Sequence, residues 1–130
     1  MRNGLSPTKV LPGSPSFFTE ALDHLSVNPV LVLRQLISFL GKGGVIFLTT
    51  PNFYRSENLA KIGRRENPLP LYPLANSDYH HHTREFSMAE LLQLLVESGG
   101  SIKCWYFSDC WDEVPVKWEE RANLVTVAGK

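Results

Sequence analysis

The chain has 130 residues, 43% of them hydrophobic, and its 13 basic side chains balance 13 acidic ones. This length fits one compact domain, and a neutral chain has no long-range field toward nucleic acid or an anionic membrane, so we expect neither partner. No apolar run approaches the roughly 20 residues of a membrane span, and the opening residues lack a secretory pattern, which predicts a cytoplasmic protein.

A flexible N-terminal tail is predicted to precede the first strand and the first helix. Residues 1–15 are rich in Gly, Pro and Ser, which predicts a flexible tail and leaves residues 16–130 as the folded domain. Residues 17–19 form a short strand candidate. Residues 29–40 are predicted to be a helix, because apolar side chains recur three and four positions apart and Asn28 can cap the first turn.

A glycine cluster, Gly41-Lys42-Gly43-Gly44, precedes an apolar run over residues 45–50. A phosphate-binding loop would place its glycines after a strand and before a helix, whereas here the helix comes first. The glycines are therefore interpreted as a left-handed turn that ends the helix and starts a strand. The run does not alternate, which is typical of a strand covered on both faces and predicts a parallel sheet.

The second half of the chain has one long connection and one clear helix signal. Residues 54–62 predict a short helix, and the proline-broken segment 63–85 predicts a functional loop such as a lid or a binding loop. Ser87 and Glu90 form a capping box, which predicts a helix that Gly99 and Gly100 end. Residues 102–108 and 124–127 predict an antiparallel strand pair at the sheet edge.

Two stretches resemble class I S-adenosylmethionine-dependent methyltransferases. The first reads TEALDHLSVNPVLVLRQLISFLGKGGVIFLTTPN and has an acidic-His-Leu element, a helix, a Gly-Gly turn and a strand that ends at Pro-Asn. The second reads HHHTREFSMAELLQLLVESGG and is similar to the segment that introduces the last helix in the small-molecule branch. The resemblance spans roughly residues 17–127.

The resemblance implies an α/β fold: part of a Rossmann-like methyltransferase sheet, with parallel strands, an antiparallel final strand pair and helices packed on the sheet. It corresponds to the C-terminal half of the family's domain. The glycine-rich donor-binding half has no counterpart in this sequence, which predicts a truncated domain. The strand at Phe17 would then keep an open flank, and this predicts a protein partner or self-association through that edge.

The implied activity is methyl transfer from S-adenosylmethionine to a small organic acceptor. The alternative is a catalytically inert fragment or an accessory module that docks through its open sheet edge. Because the donor-binding motif is missing, whether this chain alone is an enzyme stays open.

The resemblance also implies a site where the strands end. Thr19, Glu20 and His24 are expected to contact the donor, because ligands of such sheets bind beyond the carboxyl ends of the strands. His24 is also a candidate catalytic base, although packing beside a helical turn explains it equally well. Asn52 and Tyr54 follow the next strand and are expected to line the acceptor pocket.

Three consecutive histidines lie near the end of the long loop. His81 and His82 are candidate catalytic bases, because imidazole titrates near neutral pH, and Tyr79, His80 and Arg84 are expected to bind the acceptor. A solvated loop, with Arg84 paired to Glu85, is the alternative. No metal site is predicted, because consecutive imidazoles cannot converge on one ion.

The remaining conspicuous side chains are assigned structural roles. Trp105 is expected to pack in the core. The basic cluster of Lys61, Arg64 and Arg65 is expected to be a solvated face. The two cysteines are interpreted as reduced thiols.

Overall fold

A computed structural model describes residues 15–69, 84–109 and 116–130. The elements in chain order are β1 (Pro15–Thr19), a 3₁₀ turn (Leu22–His24), α1 (Pro29–Ser38), β2 (Val45–Pro51), α2 (Ser56–Gly63), α3 (Met88–Glu97), β3 (Ser101–Ser108), a second 3₁₀ turn (Trp118–Glu120) and β4 (Asn123–Gly129). Every predicted helix and strand is therefore present, with ends displaced by a residue or two.

The strands form one sheet in the order β1-β2-β4-β3. β1 and β2 run parallel, with Phe17 opposite Phe47, and α1 connects them. β4 runs antiparallel to both β2 and β3. The predicted α/β fold with an antiparallel final pair is confirmed. The predicted edge position holds only for β3, because β4 is buried along its whole length and lies between two strands.

The core lies between this sheet and the two longest helices. α1 contributes Leu33 and Ile37, and α3 contributes Leu91 and Leu95, all almost completely buried. These side chains belong to one cluster with the strand residues Ile46, Leu48, Leu124 and Ala128. Each fully buried aliphatic side chain of this kind stabilises the fold by roughly 1.5–3 kcal/mol.

Both long helices begin and end as local chemistry requires. The Asn28 side chain accepts a hydrogen bond from the Val30 N–H at the start of α1 (3.0 Å). α1 ends before the glycine cluster, and the left-handed residue falls at Gly43 (φ 73°). α3 ends at the left-handed Gly99 (φ 86°), and the Gly100 N–H then donates to the Leu95 carbonyl at 2.8 Å.

Trp105 is not a core residue, contrary to the prediction. Its side chain is 42% exposed on β3, and its ring lies 5.9 Å from that of the half-exposed Trp118. β3 pairs only with β4 among the described strands, so its side chains are less well covered than those of the interior strands.

Within the described part of the chain, no helix has the length and apolar character that a membrane crossing requires.

Candidate functional site

The carboxyl ends of β1 and β2 lie side by side, because the strands are parallel and Thr19 is opposite Thr49. In doubly wound sheets this edge is where ligands bind. The chain returns to the same edge twice. Phe86 forms a bridge with Asn52, and Ala122 accepts a hydrogen bond from the Asn52 N–H.

Glu20 is fixed in an unusual backbone conformation immediately after β1. Its φ of 49° lies in the left-handed region, which costs a non-glycine residue roughly 1–2 kcal/mol. Its N–H donates to the Thr49 carbonyl at 3.0 Å, and its Oε1 accepts from the Thr49 hydroxyl at 2.9 Å. These two bonds hold an exposed carboxylate at the edge, next to the exposed Thr19.

The 3₁₀ turn after β1 brings an acid and an imidazole together. Asp23 is fully buried, and its Oδ2 lies 3.2 Å from Nε2 of His24, whose side chain is 37% exposed. The Asp23 carbonyl also accepts a hydrogen bond from the Arg84 N–H. Asp23 was not among the site residues predicted from the sequence, although its position next to His24 in the chain was a signal for a paired carboxylate.

Asn52 joins three segments at the end of β2. Its buried amide nitrogen donates to the carbonyls of Glu119 (2.9 Å) and Arg121 (2.8 Å). Its Oδ1 accepts from the Tyr54 N–H at 3.0 Å. The side chain is therefore occupied by backbone groups. The structure gives Asn52 a positioning role, and its predicted contact with an acceptor stays a prediction.

Tyr54, in contrast, is open to solvent at this edge. Its side chain is 49% exposed, and its ring meets that of Phe53 edge-on, with centroids 5.1 Å apart. Because the Asn52 side chain holds the Tyr54 backbone, the phenol stands on a fixed turn. Its predicted contact with the methyl acceptor stays a prediction.

A buried polar cluster supports the same turn and was missed by the sequence prediction. Oε2 of Glu85 accepts hydrogen bonds from Arg55 (2.7 Å) and from the Asn58 amide (2.8 Å). The Glu85 side chain is only 1% exposed and that of Arg55 18%. Asn58 also donates to the Phe53 carbonyl at 2.8 Å. The cluster thereby ties the start of α2 to the chain segment that precedes α3.

Arg84 is exposed and pairs with Glu90, not with its neighbour Glu85. Its guanidinium also lies over the Phe86 ring, 5.6 Å from the centroid. Burial acts to raise the pKa of Glu90, but hydrogen bonds from Ser87 and Arg84 outweigh it, so the pKa lies below its usual value. The predicted acceptor contact of Arg84 would compete with this ion pair.

The other predicted site residues, Tyr79, His80, His81 and His82, lie outside the described residues. Their catalytic and binding roles stay predictions. In the parts of the chain that the structure describes, no group of three or more His, Cys, Asp or Glu side chains is arranged to hold a metal ion. The basic cluster of Lys61, Arg64 and Arg65 includes two ion pairs, from Lys61 to Glu57 and from Arg64 to Glu66.

Comparison with known proteins identifies the fold. No protein-family model and no curated protein sequence matches the chain. Among solved structures, the small RNA methyltransferase HEN1 is similar with a TM-score of 0.57 over 90% of this chain and 14% of that chain, at 13% identity. A methyltransferase in complex with the Haloferax volcanii Trm112 methyltransferase activator gives 0.56 over 88% and 52%, also at 13% identity.

A third similar structure is the methyltransferase domain of the bacterial CtHen1-CN, with a TM-score of 0.50 over 89% of this chain and 52% of that chain, at 13% identity. The chain therefore has the α/β fold of methyltransferases. It spans only 14% to 52% of the length of these structures. At this identity, the likeness establishes the architecture and leaves activity, substrate and partners to proposal.

One expectation from the sequence is wrong. The balanced charge was interpreted as excluding a nucleic-acid partner, but a small RNA methyltransferase shares this fold over nearly the whole chain. Net charge describes the field far from the molecule, whereas a bound nucleic acid contacts a local surface. A neutral total therefore does not exclude RNA for a chain with this fold.

Proposed function

We propose that this chain forms part of an S-adenosylmethionine-dependent methyltransferase and carries residues that contact both the donor and the methyl acceptor. The observation that carries the proposal is the β1-α1-β2 unit, which brings Glu20, the Asp23–His24 pair and the Asn52 turn to one edge of the sheet. The similarity in fold to three methyltransferase structures supports it.

The residues at the edge suit the chemistry of the donor. Glu20 presents an exposed carboxylate that two hydrogen bonds to Thr49 hold in place, and Thr19 adds a hydroxyl. Hydroxyl and ammonium groups, which S-adenosylmethionine carries, are natural partners for such a carboxylate. When bound, S-adenosylmethionine supplies an electrophilic methyl group on a positively charged sulfur.

His24 is the proposed base. Its partly exposed imidazole can accept the proton that an acceptor loses on methylation, and the buried Asp23 carboxylate at 3.2 Å stabilises the charged ring that results. The hydrogen bonds of the Asn52 side chain, here called the Asn52 clamp, fix the turn that carries Tyr54. The Tyr54 phenol would orient the acceptor. Good alignment alone can lower a barrier by about 7–11 kcal/mol.

The class of acceptor is the finer part of the proposal. The sequence resemblance favours a small organic molecule. This chain, however, shares its fold with HEN1, an enzyme named for small RNA. Both classes therefore belong in one assay, with labelled methyl transfer measured to a panel of small phenols, amines and carboxylic acids and to a short single-stranded RNA.

Donor binding gives the first test. Calorimetry with S-adenosylhomocysteine on this chain should show saturable heat, and Glu20→Gln should weaken the binding by roughly tenfold, because one charge-assisted hydrogen bond is lost. Glu66→Gln is the matched control, since Glu66 lies on the surface and pairs with Arg64. Absence of heat from the wild-type chain would contradict the proposal and support the alternative of an inert or accessory module.

A further inference from the structure

A small pocket lies at the same edge, beyond the candidate donor site. Its volume is about 200 Å³, and it opens between the amino end of α2 and the described residues on either side of the gap at 110–115. Arg55 and Glu57 line one side. Asp109, Glu120 and the apolar side chains of Val116 and Ala122 line the other.

Asp109 carries the inference. Its side chain is only 6% exposed, and its Oδ1 accepts a hydrogen bond from the Ala122 N–H at 2.9 Å. Its Oδ2 is buried and has no hydrogen-bond donor among the described residues. Nε of Arg121 is 4.0 Å away, too far for a hydrogen bond, and is itself buried with no acceptor among the described residues.

The charges of the described residues around the pocket leave an excess of negative charge. Arg55 is neutralised by Glu85 at 2.7 Å, and Glu57 is paired with Lys61 at 3.1 Å. Arg121 balances Asp109 in charge, although it does not satisfy its oxygen. No ion pair involves Glu120 within the described ranges, so this carboxylate remains uncompensated. The amino end of α2 carries a partial positive charge from the helix dipole. The carboxylate of Glu57, in the first turn of α2, offsets this charge.

An organic cation fits these demands better than a metal ion. The described side chains include no group of three metal ligands, whereas a single N–H donor would satisfy Asp109 Oδ2. We propose that the pocket binds an ammonium or guanidinium group through Asp109 and Glu120. If the proposed function holds, this cation is a basic group of the methyl acceptor, because the pocket lies at the acceptor side of the edge.

The test is an NMR titration of the whole chain with n-butylammonium, followed at the backbone amides of Ser56, Glu57 and Ala122. Pentanoate and n-butanol, which carry the same n-butyl chain without the positive charge, are the control ligands. We expect saturable shifts with n-butylammonium only. Asp109→Asn, which keeps the Oδ1 acceptor for Ala122, should weaken the binding by roughly tenfold or more.

Glu120→Gln should also weaken binding, and Glu66→Gln, which is outside the pocket lining, should leave it unchanged. Equal shifts with n-butanol, no saturation, or wild-type affinity in Asp109→Asn would overturn the proposal. The titration needs neither donor nor methyl transfer. A chain that binds n-butylammonium but not S-adenosylhomocysteine would therefore refute the proposed function and leave the cation site standing.

Discussion

At the scale of single residues, buried polar side chains hold the segments at the carboxyl ends of β1 and β2 in place, mainly through hydrogen bonds to the backbone. Asn52 uses both ends of its amide in this way, and Asn58 bonds both to a carbonyl and to a carboxylate. A buried polar group without a partner is costly, so each of these side chains fixes the conformation of the segments that it joins.

Replacement of Asn52 by Ala should lower the free energy of unfolding by roughly 3 kcal/mol, because the carbonyls of Glu119 and Arg121 and the Tyr54 N–H all lose a partner. Urea unfolding measures this loss. Asn67→Ala is the matched control: Asn67 is exposed and accepts one local hydrogen bond from the Leu69 N–H. Equal unfolding midpoints for the two variants would show that the Asn52 clamp contributes nothing.

Glu85→Gln should cost about 3–5 kcal/mol, because it leaves the charge of Arg55 largely buried without its counterion. Glu66→Gln removes the same charge from the exposed pair with Arg64 and should leave the urea midpoint nearly unchanged. If both variants unfold at the same urea concentration, the Glu85 cluster is not the structural anchor that its burial indicates.

His24→Gln tests the proposed base. Methyl transfer should fall by about 10²- to 10⁴-fold, since proton transfer in the transition state is lost. The affinity for S-adenosylhomocysteine should change less than the rate. Gln35→Ala, on the exposed side of α1, serves as the control. An unchanged methyl-transfer rate in His24→Gln would remove His24 from the mechanism and leave it as a packing residue.

At the scale of elements, the helix ends illustrate what a sequence can reveal. Asn28 and Ser87 cap α1 and α3 as predicted, and Gly99 ends α3 in the left-handed conformation. These signals are local, because a cap and its acceptor or donor lie within a few residues. The directions of the strands were predicted from the apolar run of β2 and through the family resemblance, whereas the interior position of β4 in the strand order was not.

The supporting contacts of the site could not be predicted in this way. Asn52 reaches carbonyls 67 and 69 residues away, and Glu85 meets Arg55 across 30 residues. No local spacing encodes such pairs, since they exist only once the sheet has brought the segments together. For the same reason the sequence pointed to Glu85 as the neighbour of Arg84, whereas the structure pairs Arg84 with Glu90.

The capping box of α3 gives a pH-dependent prediction. Because the pKa of Glu90 is lower in the folded chain than its usual value of 4.5, its contribution to stability is present above that value. It is lost as the pH falls through the lower, folded-state pKa. The difference in unfolding free energy between wild type and Glu90→Gln should therefore be constant near pH 7 and shrink as the pH falls below 4.5.

Urea unfolding at a series of pH values measures this difference. Glu90 is partly exposed, so solvent screening keeps the effect small, and Glu97→Gln at the other end of the helix provides the control. A difference that grows on acidification would have the wrong sign and would show that Glu90 is not stabilised in its charged form.

At the scale of the whole molecule, the sheet is covered unevenly. β4 lies between two strands and is buried throughout, whereas β1 alternates between exposed and half-buried residues. Phe17 of β1 is 69% exposed and stacks on Phe47, with ring centroids 5.6 Å apart. Within the described residues β1 pairs on one side only, with β2.

Amide hydrogen exchange should follow this difference. The β4 amides should be among the slowest in the chain, because their exchange requires the sheet to open. In β1, alternate amides point away from β2 and should exchange much faster, while those that donate to β2 should be intermediate. β3 is the internal comparison, since among described strands it also has one neighbour. Protection of every β1 amide at the level of β4 would mean that another segment or chain covers this flank, and the site would then have a second wall that the described residues do not supply.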